Sequence, residues 1–249
     1  MKMNKTKANQ YLLYGINNSL EILKSKKIKI SSIYLLKDGI AIKDKYIKNH
    51  INDYRGKVLI LNKNDFNKKY LKFRSQGIII NFEFSIIDYL PQFENKNTCL
   101  LLPEGIEDPQ NLGQIIRTSE CAGINGILLT EHRSVGITNS VLQVSQGSFL
   151  NMPIYKIGNI NQTLEMLKNE GFWIVGIENS IDASEWHEIN LCGKIVLIFG
   201  SEGKGIRKNT LKRCDFLATI PMHGVTNSLN ISATVSAILF ERNRQLAVK

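Results

Sequence analysis

Five apolar residues in a row, Ile195-Val-Leu-Ile-Phe199, run directly into Gly200-Ser-Glu-Gly-Lys-Gly205, and this junction limits what the chain can fold into. A short apolar run bounded by glycine reads as a buried strand that ends in a turn. A basic segment, Arg207 to Arg213, follows it. A second short strand, Phe216 to Ile220, then leads into Pro221-Met-His-Gly224. Asn227-Ser-Leu-Asn230 precedes a long apolar-periodic segment, and the spacing predicts a helix from about Leu229 to Gln245. Two strands that end in loops of glycine and small polar residues form a cradle. Glycine lets backbone N–H and C=O groups come close to a bound molecule.

The same alternation extends upstream. Thr98 to Pro103 reads as a strand, and Asn111 to Gly123 as a helix whose apolar face holds Leu112, Ile115, Ile116, Ser119 and Ala122. Gly123 is placed to end that helix. Ile124 to Thr130 and Phe172 to Ile177 read as strands. Residues 138–149 read as a helix, and a shorter one around Leu164 and Leu167 ends at Gly171. Strands alternating with helices over this length predict a parallel sheet covered on both faces. In the first part, residues 8–24 show helical spacing, with Gly15 as a possible turn before the helix. Ser32–Leu36, Lys57–Leu61 and Gly77–Ile80 read as strands, and Asn64 as the cap of a helix through Leu71. This is a small α/β domain. Pro91 and the polar run through Asn97 mark its end, so the expected partition is 1–90, a linker at 91–97, and 98–249.

Charge divides the chain at the same place. Residues 1–96 carry 19 Lys and Arg against 8 Asp and Glu, a net of +11, and residues 97–249 carry 13 against 14, a net of −1. An excess held in one half points to a polyanion docked there, with nucleic acid the usual partner. The competing reading is a lysine-rich surface from biased composition, since Asn, Ile and Lys are all abundant. No apolar run approaches about 20 residues, so no membrane span is expected. The basic N-terminus, Met1 to Lys7, lacks the apolar stretch of a secretory signal. Cys99, Cys121, Cys192 and Cys214 are far apart, which argues against a zinc site or a disulfide framework and fits a reducing cytoplasm.

The common nucleotide loops do not match. Lys204 is followed by Gly205 rather than by the Ser or Thr of a P-loop, and Gly203-Lys-Gly205 lacks the third glycine of a dinucleotide fingerprint. His50, His132, His187 and His223 are scattered, so no metal site is expected. The polar residues that recur at loop mouths are Asn111, Arg117, Glu202, Ser228 and Asn230. Each has a plain structural reading: Asn111 and Asn230 as helix caps, Arg117 as a solvated surface charge.

Three blocks together resemble the motifs of the SpoU, or TrmH-type, branch of the SPOUT RNA methyltransferases. They are Asp108-Pro-Gln-Asn-Leu-Gly-Gln-Ile-Ile-Arg117 with its tail to Gly123, Ile195 to Gly205, and Ile220 to Ser232. The resemblance covers roughly residues 97–245. The first part, with Tyr14-Gly-Ile-Asn-Asn and Ser75-Gln-Gly77, is similar to an L30e-like substrate-binding domain. The resemblance implies an α/β SPOUT catalytic domain with a parallel sheet and a deep trefoil knot, and a homodimer with its active site near the interface. It implies S-adenosylmethionine held at Gly200, Ile220 and Leu229. Arg117 is then the clamp for a neighbouring phosphate, and either that phosphate or the arginine itself accepts or polarises the 2′-OH proton. Asn111, Ser228 and Asn230 orient it and the ribose, and Glu202 is the acid of the second motif. Ser145-Gln-Gly-Ser148 departs from the alanine-containing pattern of the family, a difference that bears on RNA contact.

The function implied is 2′-O-methylation of a ribose, at a guanosine of 23S ribosomal RNA, because the N-terminal part resembles the domain of those enzymes. The alternatives are a transfer-RNA 2′-O-methyltransferase, a resistance methyltransferase acting at a ribosomal drug site, and a non-catalytic RNA-binding assembly protein. Intact Asn111, Arg117, Ser228 and Asn230 argue against the last.

Overall fold

The computed structural model of the protein describes residues 8–131, 134–180 and 182–248. The basic stretch Met1–Lys7 and His132 lie outside the described residues. The chain runs β1 (Asn9–Tyr14), α1 (Ile16–Lys24), β2 (Lys29–Leu36), α2 (Ile40–Lys43), α3 (Lys45–Ile51), β3 (Val58–Leu61), α4 (Lys63–Tyr70) and β4 (Ile78–Phe84). It continues through β5 (Cys99–Pro103), α5 (Pro109–Cys121), β6 (Gly126–Thr130), α6 (Asn139–Val144), β7 (Ile154–Ile157), α7 (Ile160–Asn169) and β8 (Trp173–Ile177). Last come β9 (Ser184–Glu185), β10 (Ile195–Phe199), α8 (Lys208–Leu211), β11 (Phe216–Thr219) and α9 (Ile231–Ala247). Two compact units result: residues up to Ser85 with Ile137–Leu150, and Ile86–Gly136 with Asn151 onward. The expected partition treats the chain as successive blocks and does not contain this return of Ile137–Leu150 to the N-terminal unit. No helix among the described residues is long and apolar enough to cross a membrane.

The N-terminal unit is built on a four-stranded sheet in the order β1-β4-β2-β3, antiparallel except for the β2–β3 pair. Residues 9–14 are a strand, not the start of a helix. Leu12 packs with Phe66 and Tyr70 of α4, while its neighbour Leu13 is fully buried, which is the two-residue alternation of a strand. Gly15, at φ +85°, makes the turn into α1. The cap of α4 is Asn62 rather than Asn64: its side-chain oxygen accepts from the Asp65 N–H at 2.9 Å. Asp44 caps α3 in the same way, accepting from Ile47 N–H. The sequence reading missed α2 and α3, although Asp44 carried the cap signal.

The stretch 138–149 is α-helical only over α6, with a short 3-10 turn at Ser148–Leu150. It breaks between the two at Gln146 and Gly147, both with positive φ. Its side chains close the exposed edge of β1. Gln143 accepts from Tyr14 N–H (3.2 Å) and donates to the Tyr14 carbonyl (2.9 Å), and Asn139 accepts from Leu12 N–H (3.0 Å). An open strand edge is a template for unwanted pairing, and these amides occupy it. Phe149 stacks on Phe82 and meets Phe84 edge-on.

The C-terminal unit is a seven-stranded sheet in the order β7-β6-β5-β10-β8-β11-β9, parallel at every pairing. Strands β7 and β9 were not anticipated; β7 is four residues long and β9 only two. Strand β10 lies between β5 and β8, with Val196 level with Leu100 and Ile174. All five residues of β5 and all five of β10 are buried. That explains runs without alternation: strands covered on both faces need apolar residues at every position. Helices α5 and α9 pack together, joined by Thr118 and Ser236 hydroxyls at 3.3 Å and by Asn243 donating to the Ala122 carbonyl.

The clamp on β1 can be tested. Gln143→Ala leaves both peptide groups of Tyr14 without their partner, at an expected cost of about 2 kcal/mol. Urea unfolding followed by circular dichroism measures it. A change under about 0.5 kcal/mol would show that the edge is held by other means.

Candidate active site

The site forms where parallel strands end. Strands β5, β10, β8 and β11 all run the same way, so the segments that follow Pro103, Phe199, Ile177 and Thr219 emerge on one edge of the sheet. Ligands of open α/β sheets bind outside this carboxyl edge.

The turn after β10 is the tightest element there. The peptide joining Gly205 to Ile206 passes so close to Gly200 that a Cβ at that position would overlap it. Gly205 N–H donates back to the Ser201 carbonyl at 2.9 Å, closing the turn on itself. Two carboxylates fix it from outside. Glu178, just after β8, accepts from Ile206 N–H at 2.9 Å and fills the space a side chain on Gly205 would need. Glu104, just after β5, is buried and accepts from Arg207 N–H (3.1 Å) and the Thr210 hydroxyl (2.9 Å). Neither glutamate was singled out in the sequence. The signal was there: each directly follows the last residue of a strand.

Three of the expected residues meet. Asn111 sits in the first turn of α5, which Pro109 opens and Asp108 caps by accepting from Gln110 N–H. Asn111 is therefore not the cap, and its buried amide is free to reach across. It donates to Glu202 Oε1 at 3.1 Å. Asn230 Nδ2 donates to Asn111 Oδ1 (3.0 Å) and to the same Glu202 oxygen (3.1 Å). Asn230 is also the cap of α9, its Oδ1 accepting from the Ser232 N–H (2.8 Å) and hydroxyl (2.6 Å). One side chain thus serves both readings of that position. Asn179, after β8, donates to the Asn227 carbonyl and steadies the loop before α9.

A cavity of about 340 Å³ lies beside this ring. Gly200, Ile220 and Leu229 all line it, with Ser228 at its mouth. Glu178 and Glu202 also line it, and no Lys or Arg does. A second hollow of about 270 Å³ adjoins it through Ser201, Glu202 and Ile231, and holds Asp108, Asn111 and Lys204. Arg117 is not drawn into the ring. It is exposed on α5 six residues beyond Asn111, about 240° further around the helix. Among the described residues the side chains of Arg117 and Ser228 have no hydrogen-bond or ion-pair partner.

The other chemistry available is limited. Burial, and then the neighbouring Asp215 charge, push the Cys214 thiol up to about 11, so it is neutral and a poor nucleophile. Among the described residues no group of three His, Cys, Asp or Glu is placed to hold a metal ion. The fold and site are those of a parallel α/β protein that takes a small ligand on the carboxyl edge of its sheet and has a polar ring beside it. The SpoU rRNA Methylase family profile matches residues 98–240, and the chain belongs to this family.

Relatives agree. A Staphylococcus saprophyticus protein assigned to the TrmH family of tRNA/rRNA methyltransferases is 36% identical over 148 residues, 59% of each chain. A Staphylococcus aureus protein of the same assignment is 34% identical over 168 residues, 66% of this chain and 67% of its own length. The chain thus matches less than two thirds of the first relative's length. In fold, it is similar to the SpoU methyltransferase AviRb from Streptomyces viridochromogenes, solved in complex with its cofactor AdoMet. The TM-score is 0.80 at 18% identity, covering 96% of this chain and 92% of that one.

Gly200→Ala tests the turn. A methyl group cannot fit without displacing the Gly205–Ile206 peptide, so the expected loss of stability exceeds about 2 kcal/mol. Thermal unfolding of the variant measures it, and an unchanged midpoint would contradict the close approach.

Proposed function

We propose that the protein is an S-adenosylmethionine-dependent RNA 2′-O-methyltransferase acting on a guanosine ribose of 23S ribosomal RNA. The observation that carries this reading is the ring of Asn111, Glu202 and Asn230. It joins all three motif segments beside a cavity lined by Gly200, Ile220 and Leu229. The cavity also suits the cofactor's charge. Two carboxylates and no basic side chain line it, which favours a sulfonium cation over the polyphosphate of ATP or NAD. Gly200 lets the backbone come close, and Ile220 and Leu229 offer apolar surface to an adenine. When bound, the cofactor supplies an electrophilic methyl group.

The chain's residues do the rest. In this reading the acceptor ribose sits in the adjoining hollow, where Asn111 and Glu202 present hydrogen-bonding groups. Ser228, exposed at the cavity mouth, orients it further. Arg117 carries a permanent charge and a planar fork suited to a phosphate beside the 2′-OH. Its unengaged side chain supports a role toward RNA, and toward an active site completed in a homodimer. The remaining expectations belong to the same proposal: a trefoil-knotted catalytic domain over 98–249, less the Ile137–Leu150 segment that joins the N-terminal unit, a linker at 91–97, an L30e-like RNA-binding domain over 1–90, and a cytoplasmic setting. The +11 excess of residues 1–96 supports RNA docking by that part. The relatives' assignment to tRNA/rRNA methyltransferases keeps a transfer-RNA substrate as the second reading.

Calorimetric titration should give heat with S-adenosylmethionine and none with ATP or NAD. The opposite pattern would end the proposal. Arg117→Ala and Arg117→Lys should both bind the cofactor normally. In single-turnover methyl transfer to ribosomal RNA fragments, Arg117→Ala should be slower by about 10²-fold or more. Arg117→Lys, which keeps the charge without the fork, should stay badly impaired. Near-normal transfer by Arg117→Ala would remove that residue from the mechanism.

A further inference from the structure

Glu178 uses only half of its carboxylate to hold the turn after β10. It directly follows the last residue of β8, and its backbone N–H donates to the Ala218 carbonyl of β11 at 3.0 Å, so the neighbouring strand fixes where its side chain starts. One carboxylate oxygen, Oε2, accepts from Ile206 N–H at 2.9 Å. Both oxygens lie over Gly205, where an added Cβ would meet each of them at 2.7 Å. The carboxylate is thus held in place before a ligand arrives. Its other oxygen, Oε1, has no hydrogen-bond or ion-pair partner among the described residues, and it is open rather than sealed from solvent.

The surroundings of that oxygen say what it can take. Glu178 is partly buried and lines the cavity of about 340 Å³. No Lys or Arg lines that cavity, so no side chain there neutralises the carboxylate. A carboxylate drawn partly out of water with an unused oxygen favours a ligand that brings a cation carrying N–H donors. The two acids of the cavity also stand in different places. Glu202 lines both the cavity and the acceptor hollow, and its Oε1 already receives the Asn111 and Asn230 amides. Glu178 lines the cavity and not the hollow. A methyl group bound for the hollow leaves across the shared wall of Ser201, Glu202 and Ile231, so the sulfonium belongs beside that wall. The cation left for Glu178 is the one on the part of the cofactor that does not react.

We infer that Glu178 is the counter-charge for the α-ammonium group of S-adenosylmethionine. Oε2 keeps the turn in shape and Oε1 accepts from the ammonium, so one side chain both builds the cofactor's bed and reads its amino-acid end. This rests on the S-adenosylmethionine reading above and deepens it by assigning the residue that recognises the methionine part. The demethylated product keeps the same ammonium. The contact is therefore alike before and after transfer, and it contributes to holding the cofactor rather than to the reaction.

Glu178→Gln separates the two duties. It keeps an oxygen for Ile206 N–H and nearly the same volume, and it removes the charge. The probes are S-adenosylmethionine, S-adenosylhomocysteine, and the des-amino analogue of S-adenosylhomocysteine, in which hydrogen replaces the ammonium. Calorimetry gives the affinities of the full-length wild type and variant, and thermal unfolding compares the two proteins without ligand. The wild type should bind S-adenosylhomocysteine about tenfold or more tightly than the des-amino analogue, on the scale of a hydrogen bond between charged groups. Glu178→Gln should unfold at the wild-type midpoint and lose about tenfold or more in affinity for both S-adenosylmethionine and S-adenosylhomocysteine. Its affinity for the des-amino analogue should stay within about twofold of the wild type, because the residue and the ammonium are then both absent from the comparison. Unchanged affinities would overturn the inference. A loss for S-adenosylmethionine alone would put the carboxylate at the sulfonium and overturn the assignment to the ammonium. Equal losses for all three probes would overturn it as well, since the substitution would then act through the turn or the ribose. Should the variant fail to fold, equal wild-type affinity for S-adenosylhomocysteine and its des-amino analogue would overturn the inference by itself. A wild-type protein that binds none of the three probes would instead overturn the reading on which the inference rests.

Discussion

Everything at the candidate site depends on β10 being a central strand. It pairs in parallel with β5 on one side and β8 on the other, over all five residues. A parallel neighbour brings its own carboxyl end to the same edge, so the residue after β5 and the residue after β8 both arrive beside the turn after β10. Those residues are Glu104 and Glu178, and both accept backbone N–H groups of the turn's descending arm. The turn has no room for a side chain at Gly200 and is held by groups it did not supply. A loop fixed in this way can present backbone to a ligand with little reorganisation on binding, which is the condition for a preorganised site.

The ring of Asn111, Glu202 and Asn230 has a different role. Asn111 is buried, but Glu202 and Asn230 are exposed, so their mutual hydrogen bonds compete with water and contribute modestly to stability. What the ring supplies is position. It links the first turn of α5, the turn after β10 and the cap of α9, three segments 119 residues apart at the widest. The packing of α5 on α9 sets the distance between two of them, with Thr118 and Ser236 in hydrogen-bond contact between the helices. By contrast, the loop from His223 to Leu229 is exposed throughout and Val225 is fully so. Surface loops of this kind, mounted on a rigid sheet, are where binding groups tend to sit.

Much of this was legible in the sequence, for identifiable reasons. Uninterrupted apolar runs such as Cys99–Pro103 and Ile195–Phe199 have one stable placement, inside a parallel sheet, and Gly123 and Gly171 end their helices at positive φ as expected. The glycines of the turn and the asparagines at the loop mouths marked the site. Local signals failed where distant contacts decide. Leu12 and Leu13 fit a helical spacing, but pairing with β4 makes them a strand. The segment 137–150 follows β6 in sequence, yet its Gln143 and Phe149 belong to the N-terminal unit. Glu104 and Glu178 look like ordinary surface acids until the strands beside them are known. Arg117 was singled out for a role that its solitary place on α5 neither supplies nor forbids, because the partners proposed for it are groups of an RNA and not of the chain.

The central claim is that the ring and the cavity together move a methyl group to a ribose oxygen. Digestion of the RNA product to nucleosides, after reaction with isotopically labelled S-adenosylmethionine, tests it most directly by mass spectrometry. The label should appear in a 2′-O-methylated nucleoside, on the sugar fragment and not on the base, and Gly200→Ala should abolish it. Label on a base, or no label in any RNA under conditions where the cofactor is bound, would contradict the account.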